Sequence, residues 1–213
     1  MTDHTLTQIY VLLDRSGSMQ SIKSDVEGGF AAFIEEQRKG QGTCRVSLAQ
    51  FDDRYDEVYS DRPVAEVPPL ELQPRGSTAL LDAMGRLITD AGARLAALPE
   101  DQRPGTVVVA IMTDGRENAS REWTHPAIKA LVEQQTTSYH WQFLYMGADQ
   151  DAIEVGASIG IQRDYSVTYG RNRSAAAMAT NSAKIAAMRS ARLTDPGAAM
   201  PAFTDEERAD LAD

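Results

Sequence analysis

Disulfides are the first thing this sequence excludes. A single cysteine, Cys44, stands in 213 residues, so no bridge can form within the chain. Nothing therefore calls for an oxidising compartment. Cys44 lies in an apolar run and reads as a small buried side chain. Long apolar runs are also missing. No stretch reaches the roughly 18 residues that would span a bilayer, and residues 1–8 are polar, without a signal-type segment. Bases are outnumbered, 21 against 31 acids, for a formal net charge of -10. That balance argues against nucleic acid and anionic membrane as partners, because both demand basic patches. A soluble cytoplasmic protein is expected.

Catalytic signatures are scarce as well. The only histidines are His4, His125 and His140. The first is near the start of the chain, the second begins a predicted helix, and the third begins a predicted strand at its amino end. A P-loop and a G-x-G-x-x-G turn are both absent. The position two residues after Asp14 is Ser16, so the second carboxylate expected of an aspartyl-phosphate enzyme is missing. A non-enzymatic role is expected.

What is present is ordinary globular composition, 42% hydrophobic and 24% charged. The length suits one domain with a tail. Residues 1–193 are expected to form that domain and 194–213 an acidic tail, with no internal repeat and no Gly/Ser linker.

Apolar runs alternate with helical patterns along the chain. Residues 8–13 read as a strand buried on both faces, 43–51 as the next, and 106–112 (TVVVAIM) as the strongest. Residues 140–146 and 164–168 supply two more, the latter at an edge. Residues 55–60 follow a tight turn and read as the antiparallel half of an edge hairpin. Ile22, Val26, Phe30, Phe33, Ile34 and Gln37 share one helical face. A second helix opens near Gly76-Ser77-Thr78, with Ser77 or Thr78 as the expected N-cap and Asp82 at the positive end of its dipole. Thr124 and Pro126 start a third, about 150–158 forms a short one, and 171–192 is an alanine-rich one. Within 204–211, Thr204 and Glu207 match a capping box. The sum is an α/β fold, a doubly wound, mostly parallel sheet with helices on both faces. Ligands in such folds bind beyond the carboxyl ends of the strands, near the point where strand order reverses.

Two carboxylates lie there. Asp14 leaves the first strand and is followed by Ser16 and Ser18 at alternate positions; Asp114 follows the TVVVAIM strand. Thr78 opens a helix. Asp14, Ser16, Ser18, Thr78 and Asp114 are all short oxygen donors, which suit a hard cation rather than zinc or copper. Two carboxylates neutralise a divalent ion, and hydroxyls ligate without adding charge, leaving the metal electron-poor and open to an outside carboxylate. Taken singly, each residue also has an ordinary reading: the serines and Thr78 as helix caps, Asp114-Gly115 as a turn.

DRSGSM at 14–19, GSTALLDA at 76–83 and TDGREN at 113–118 together resemble the metal-ion-dependent adhesion site of von Willebrand factor type A domains. The likeness covers about residues 8–168. It implies a Rossmann-like fold with one antiparallel edge strand. It implies Mg²⁺, with Mn²⁺ or Ca²⁺ as alternatives, held directly by Ser16, Ser18 and Thr78, and by Asp14 and Asp114 directly or through water. It implies a protein partner that completes the shell with a glutamate or aspartate. It also implies a final helix, 171–192 here, that can shift as the ligands rearrange. Asn118-Ala119-Ser120, GADQDA at 147–152 and the small size resemble stand-alone bacterial and bacteriophage members, tellurium-resistance-associated ones among them. The competing expectation is a scaffold whose metal only stabilises the loops.

Overall fold

The computed structural model describes residues 2–148 and 150–212. Met1, Asp213 and Asp149 of the GADQDA segment lie outside the described residues. The elements run β1 (Asp3–Asp14), α1 (Lys23–Lys39), β2 (Thr43–Phe51), β3 (Tyr55–Pro63), α2 (Leu80–Ala97), β4 (Pro104–Thr113), α3 (His125–Tyr139), β5 (Gln142–Ala148), α4 (Ala152–Ser158), β6 (Ser166–Tyr169), α5 (Ser174–Arg192) and α6 (Asp205–Ala212). The strands form one sheet in the order β3-β2-β1-β4-β5-β6. β3 is antiparallel to β2, and the other pairs are parallel. Strand order therefore reverses between β1 and β4, the two strands that end at Asp14 and Thr113.

Alternation along the strands feeds two cores. Ile9, Val11 and Leu13 of β1 pack with Val26, Phe30 and Phe33 of α1 and with Ala177, Ile185 and Met188 of α5. Tyr10 and Leu12 pack with Leu80, Met84 and Leu87 of α2 and with Ile128 and Val132 of α3. β1 is longer than its apolar run: Asp3–Leu6 are partly exposed, yet the Asp3 amide still pairs with the Arg103 carbonyl at 2.8 Å. β5 starts later than expected. His140 adopts a left-handed conformation (φ 57°) that closes α3, and the strand begins at Gln142. Arg171–Arg173 form a tight 3₁₀ turn ahead of α5.

The stretch read as an acidic tail packs on this core. Met200, Phe203 and Leu211 are buried in it. Thr204 and Glu207 form the expected capping box, with bonds of 2.8 and 3.1 Å. Glu207 also accepts from the buried Lys184 of α5 at 2.7 Å. The Gly170 amide, just past β6, donates to the Leu211 carbonyl at 2.8 Å.

The seat of α5 is unusually polar. Ser174, Asn181, Ser182, Lys184, Arg189 and Arg192 are all buried on it. Among the described residues, neither side-chain polar atom of the fully buried Asn181 has a hydrogen-bond partner. An unmet buried amide costs about 1–3 kcal/mol. Asn181→Leu, which keeps the branching and removes the polar atoms, is therefore expected to raise stability by about 1–2 kcal/mol. Urea unfolding should show a higher midpoint with an unchanged slope.

Candidate metal centre

The first loop is set by what surrounds Arg15. Asp14 is the last residue of β1, and the next amide, Arg15, still bonds the Phe51 carbonyl of β2 at 2.8 Å. The Ser16 amide then turns back onto Asp14 Oδ1 at 2.6 Å. Met19, fully buried, anchors the turn that follows. The Arg15 side chain is held by Asp52, with Nε 2.9 Å from Asp52 Oδ2. Arg75 Nε reaches the same oxygen at 2.8 Å, and the Arg54 amide takes Oδ1 at 2.7 Å. Asp52 has no exposed surface. The sequence shows Asp52 only as part of a tight turn, because nothing local to that turn reveals two distant arginines.

The second segment is tied to the first. Gly76, at φ +67°, carries the chain past Asp53, where a Cβ would meet Oδ1 at 2.8 Å. Its carbonyl accepts from the Gly17 amide at 3.2 Å, the Arg75 amide donates to the Arg15 carbonyl at 2.8 Å, and the Ala79 amide donates to the Asp52 carbonyl at 2.8 Å. Neither Ser77 nor Thr78 caps α2, which begins at Leu80 after Ala79 with no cap from its own flank. Its free amides are met from a distance instead. Glu117 Oε2 accepts from Leu81 at 3.0 Å and Ser120 Oγ from Asp82 at 3.1 Å. Asn118 Oδ1 accepts from Thr78 at 3.0 Å. The Thr78 hydroxyl is thus left out of capping.

The exchange runs both ways. The Asp82 carboxylate accepts from the amides of Arg121, Glu122 and Trp123 at 2.8–3.0 Å. The Trp123 indole lies on Gly85 so closely that a Cβ there would come within 2.2 Å of the ring. The loop after β4 is therefore locked onto α2 by capping and by packing.

That lock sets the third segment against the other two. Thr113 Oγ1 donates to Asp14 Oδ2 at 2.6 Å, and Ser18 Oγ donates to Asp114 Oδ1 at 2.6 Å. Ser16 Oγ and Ser18 Oγ stand 3.0 Å apart. A Cβ placed on Gly115 would lie 2.8 Å from Thr78 Oγ1 and 3.7 Å from both Asp14 Oδ2 and Ser18 Oγ. All five residues named from sequence are therefore brought to one place. Arg171, ahead of α5, also stands beside it, Nη1 3.6 Å from Asp114 Oδ2. Its place in the chain gave no sign of this.

Neither a sequence family nor a curated protein gives a significant match to the chain. Solved structures do. Proximal thread matrix protein 1 of the mussel byssus superposes with a TM-score of 0.59 at 16% identity, over 85% of this chain and 46% of that one. A von Willebrand factor type A structure from Catenulispora acidiphila gives 0.56 at 15%, over 86% and 42%. The von Willebrand factor domain of the pilus tip protein Mfa5 from Porphyromonas gingivalis gives 0.57 at 12%, over 84% and 94%. The chain has the von Willebrand factor type A fold. It spans less than half the length of the first two structures and most of a domain in the third.

On this von Willebrand A fold, the donor set passes a chemical test for a hard divalent cation. Two carboxylates and three hydroxyls meet, and among the described residues no group of three His, Cys, Asp or Glu side chains does. In an octahedral Mg²⁺ shell, neighbouring oxygens lie about 3.0 Å apart, which is the Ser16–Ser18 separation. Burial pushes the Asp14 carboxyl up to about 6; hydrogen bonds from Thr113 and Ser16 offset part of this, and the charge of Asp114 adds to it. Two carboxylates confined in this way favour a cation between them.

Proposed function

We propose that the Asp14 site binds Mg²⁺ and through it captures a glutamate or aspartate of a protein partner. Ser16, Ser18 and Thr78 would hold the ion directly, with Asp14 and Asp114 bound to it directly or through water. The observation that carries the reading is the meeting of all five oxygen donors around Gly115. Five positions leave at least one vertex of an octahedron for an outside carboxylate. The role proposed is that of a non-enzymatic cytoplasmic adaptor, of the kind its three motifs resemble in stand-alone bacterial and bacteriophage proteins. His4 and His140 lie at the amino ends of β1 and β5, at the opposite end of the sheet from Asp14.

A scaffold role with a structural metal is less well supported. The three loops are already joined by backbone bonds, Gly17 to Gly76 at 3.2 Å and Asn118 to Thr78 at 3.0 Å. The test is a Mg²⁺ titration by calorimetry, followed by a pull-down from host lysate with and without EDTA. A partner released by EDTA is the expected result. A large fall in Tm on EDTA, with the partner retained, would transfer the assignment to a scaffold.

Thr78→Ala separates two versions of the capture. If Thr78 ligates mainly when a partner is bound, Mg²⁺ affinity should fall about threefold or less and partner binding about tenfold or more. Calorimetry with Mg²⁺ and a surface-binding assay with the captured partner check this. Equal losses would argue against a switch between two ligand arrangements.

A further inference from the structure

A second candidate site lies at the other end of the sheet, about 30 Å away along β4. There a cavity of about 1060 Å³ opens between the ends of α2, α3 and α5 and the amino ends of β1, β4 and β5. The size is that of a small-molecule site. Leu95 and Leu131 form apolar walls, and Trp141 contributes a rigid floor, its ring stacked on Tyr10 and Phe143 at 6.2 Å.

Its charge is the opposite of the rest of the protein. The chain carries 31 acidic residues, yet none of the described residues lining this cavity is Asp or Glu. Two arginines line it, Arg103 and Arg192. Arg103 is committed to the end of α2, donating to the carbonyls of Leu98 at 3.0 Å and Ala96 at 2.8 Å. It thereby offsets the negative pole of that helix. Arg192 is different. It is 7% exposed and has no carboxylate within ion-pair distance among the described residues. Nε donates to the Ala198 carbonyl at 2.9 Å and Nη1 to Thr106 Oγ1 at 3.1 Å, while Nη2 makes no bond to the described residues. Burial holds its pKa below the ordinary value, yet a guanidinium stays charged in a protein. A buried charge without a counter-charge is costly, and natural proteins pair such groups.

We infer that this cavity binds a small organic anion, its acidic head on Arg192 and its aromatic or aliphatic body against Leu95, Leu131 and Trp141. Gly92 supplies a clean way to close the site. It lines the cavity from α2, and a Cβ there would meet nothing within 4 Å, so a large side chain enters the cavity without disturbing the helix.

The test uses the full chain and two fluorescent probes of one shape. One is 8-anilinonaphthalene-1-sulfonate, an aromatic anion; the other is the neutral N-phenyl-1-naphthylamine. Wild type is expected to bind one sulfonate per chain, saturably. Gly92→Phe should abolish binding of both probes while leaving circular dichroism and Mg²⁺ affinity unchanged. Arg192→Gln should weaken the sulfonate about tenfold or more, the loss of one charge-assisted contact, and the neutral probe less than about twofold. Undiminished sulfonate binding to Gly92→Phe would overturn the site. Equal losses of both probes in Arg192→Gln would overturn its choice of an anion.

Discussion

Asp14→Asn is expected to abolish Mg²⁺ binding in calorimetry and to leave the metal-free protein folded and no less stable. The first half follows from charge, since one of two carboxylates at the site is neutralised while its shape is kept. The second follows from burial. Asp14 has no exposed surface, and its carboxyl is moved from 3.8 to about 6. Holding it ionised at neutral pH costs the empty site roughly 3 kcal/mol. Asparagine removes that cost and keeps an oxygen for the Ser16 amide. The sign of the pH effect follows. A carboxyl whose pKa is raised by folding takes up its proton more readily in the folded state, so it disfavours folding above about 6 and stops doing so as pH falls toward 4. Wild type in EDTA should therefore gain stability from pH 7 to 5, and Asp14→Asn should not. Thermal unfolding in EDTA across that range reads this. Retained Mg²⁺ affinity in the variant would sink the metal assignment.

Asp52→Ala is expected to be the most damaging single change near the site. It takes the buried carboxylate from Arg15, itself buried, leaving only the half-exposed Asp56 beside it, and frees Arg75 from the same oxygen. Removing one member of a buried ionic cluster costs about 3–5 kcal/mol, which in a domain this size lowers Tm by roughly 10 °C. Mg²⁺ affinity should fall as well, by about tenfold or more. The backbone of Arg15 lies within the loop that carries Asp14, Ser16 and Ser18, and the Asp52 carbonyl holds the amide beside Thr78. Burial works to raise the Asp52 carboxyl, but hydrogen bonds from Arg75, the Arg54 amide and Arg15 outweigh it and hold it at about 2. Its contribution is therefore present above about pH 4 and lost as pH falls through 2. This is opposite in sign to that of Asp14. A Tm within a degree or two of wild type would show that the arginines find other partners and that the cluster does not set the loops.

The two aspartates show why one was legible in the sequence and the other was not. Asp14 ends an apolar run and is followed by serines at alternate positions, so the pattern that identifies it is contained in six residues. Asp52 sits in an Asp-Asp-Arg turn, and its importance comes from Arg15 and Arg75, 37 and 23 residues away. The start of α2 repeats the lesson. Local pattern pointed to Ser77 or Thr78 as its cap, and a loop some 40 residues downstream supplies the cap instead. That substitution leaves the threonine hydroxyl beside Gly115.

Short-range order was readable throughout. The β2 strand falls at Thr43–Phe51, as its composition indicates, and the capping box of α6 forms between Thr204 and Glu207. The five oxygen donors, the alternation of strands and helices, and the antiparallel edge were all present in the sequence, because each depends on neighbours within one or two turns of chain. Tertiary structure decided what depends on distant neighbours. It placed the reversal of strand order between β1 and β4, which brings the end of one strand beside the end of the other. It brought Arg171 to Asp114, folded Leu211 against the core, and left Arg192 buried at the edge of a cavity with no carboxylate among its described lining residues. These are matters of burial and charge between residues far apart in sequence, and periodicity along the chain carries no record of them.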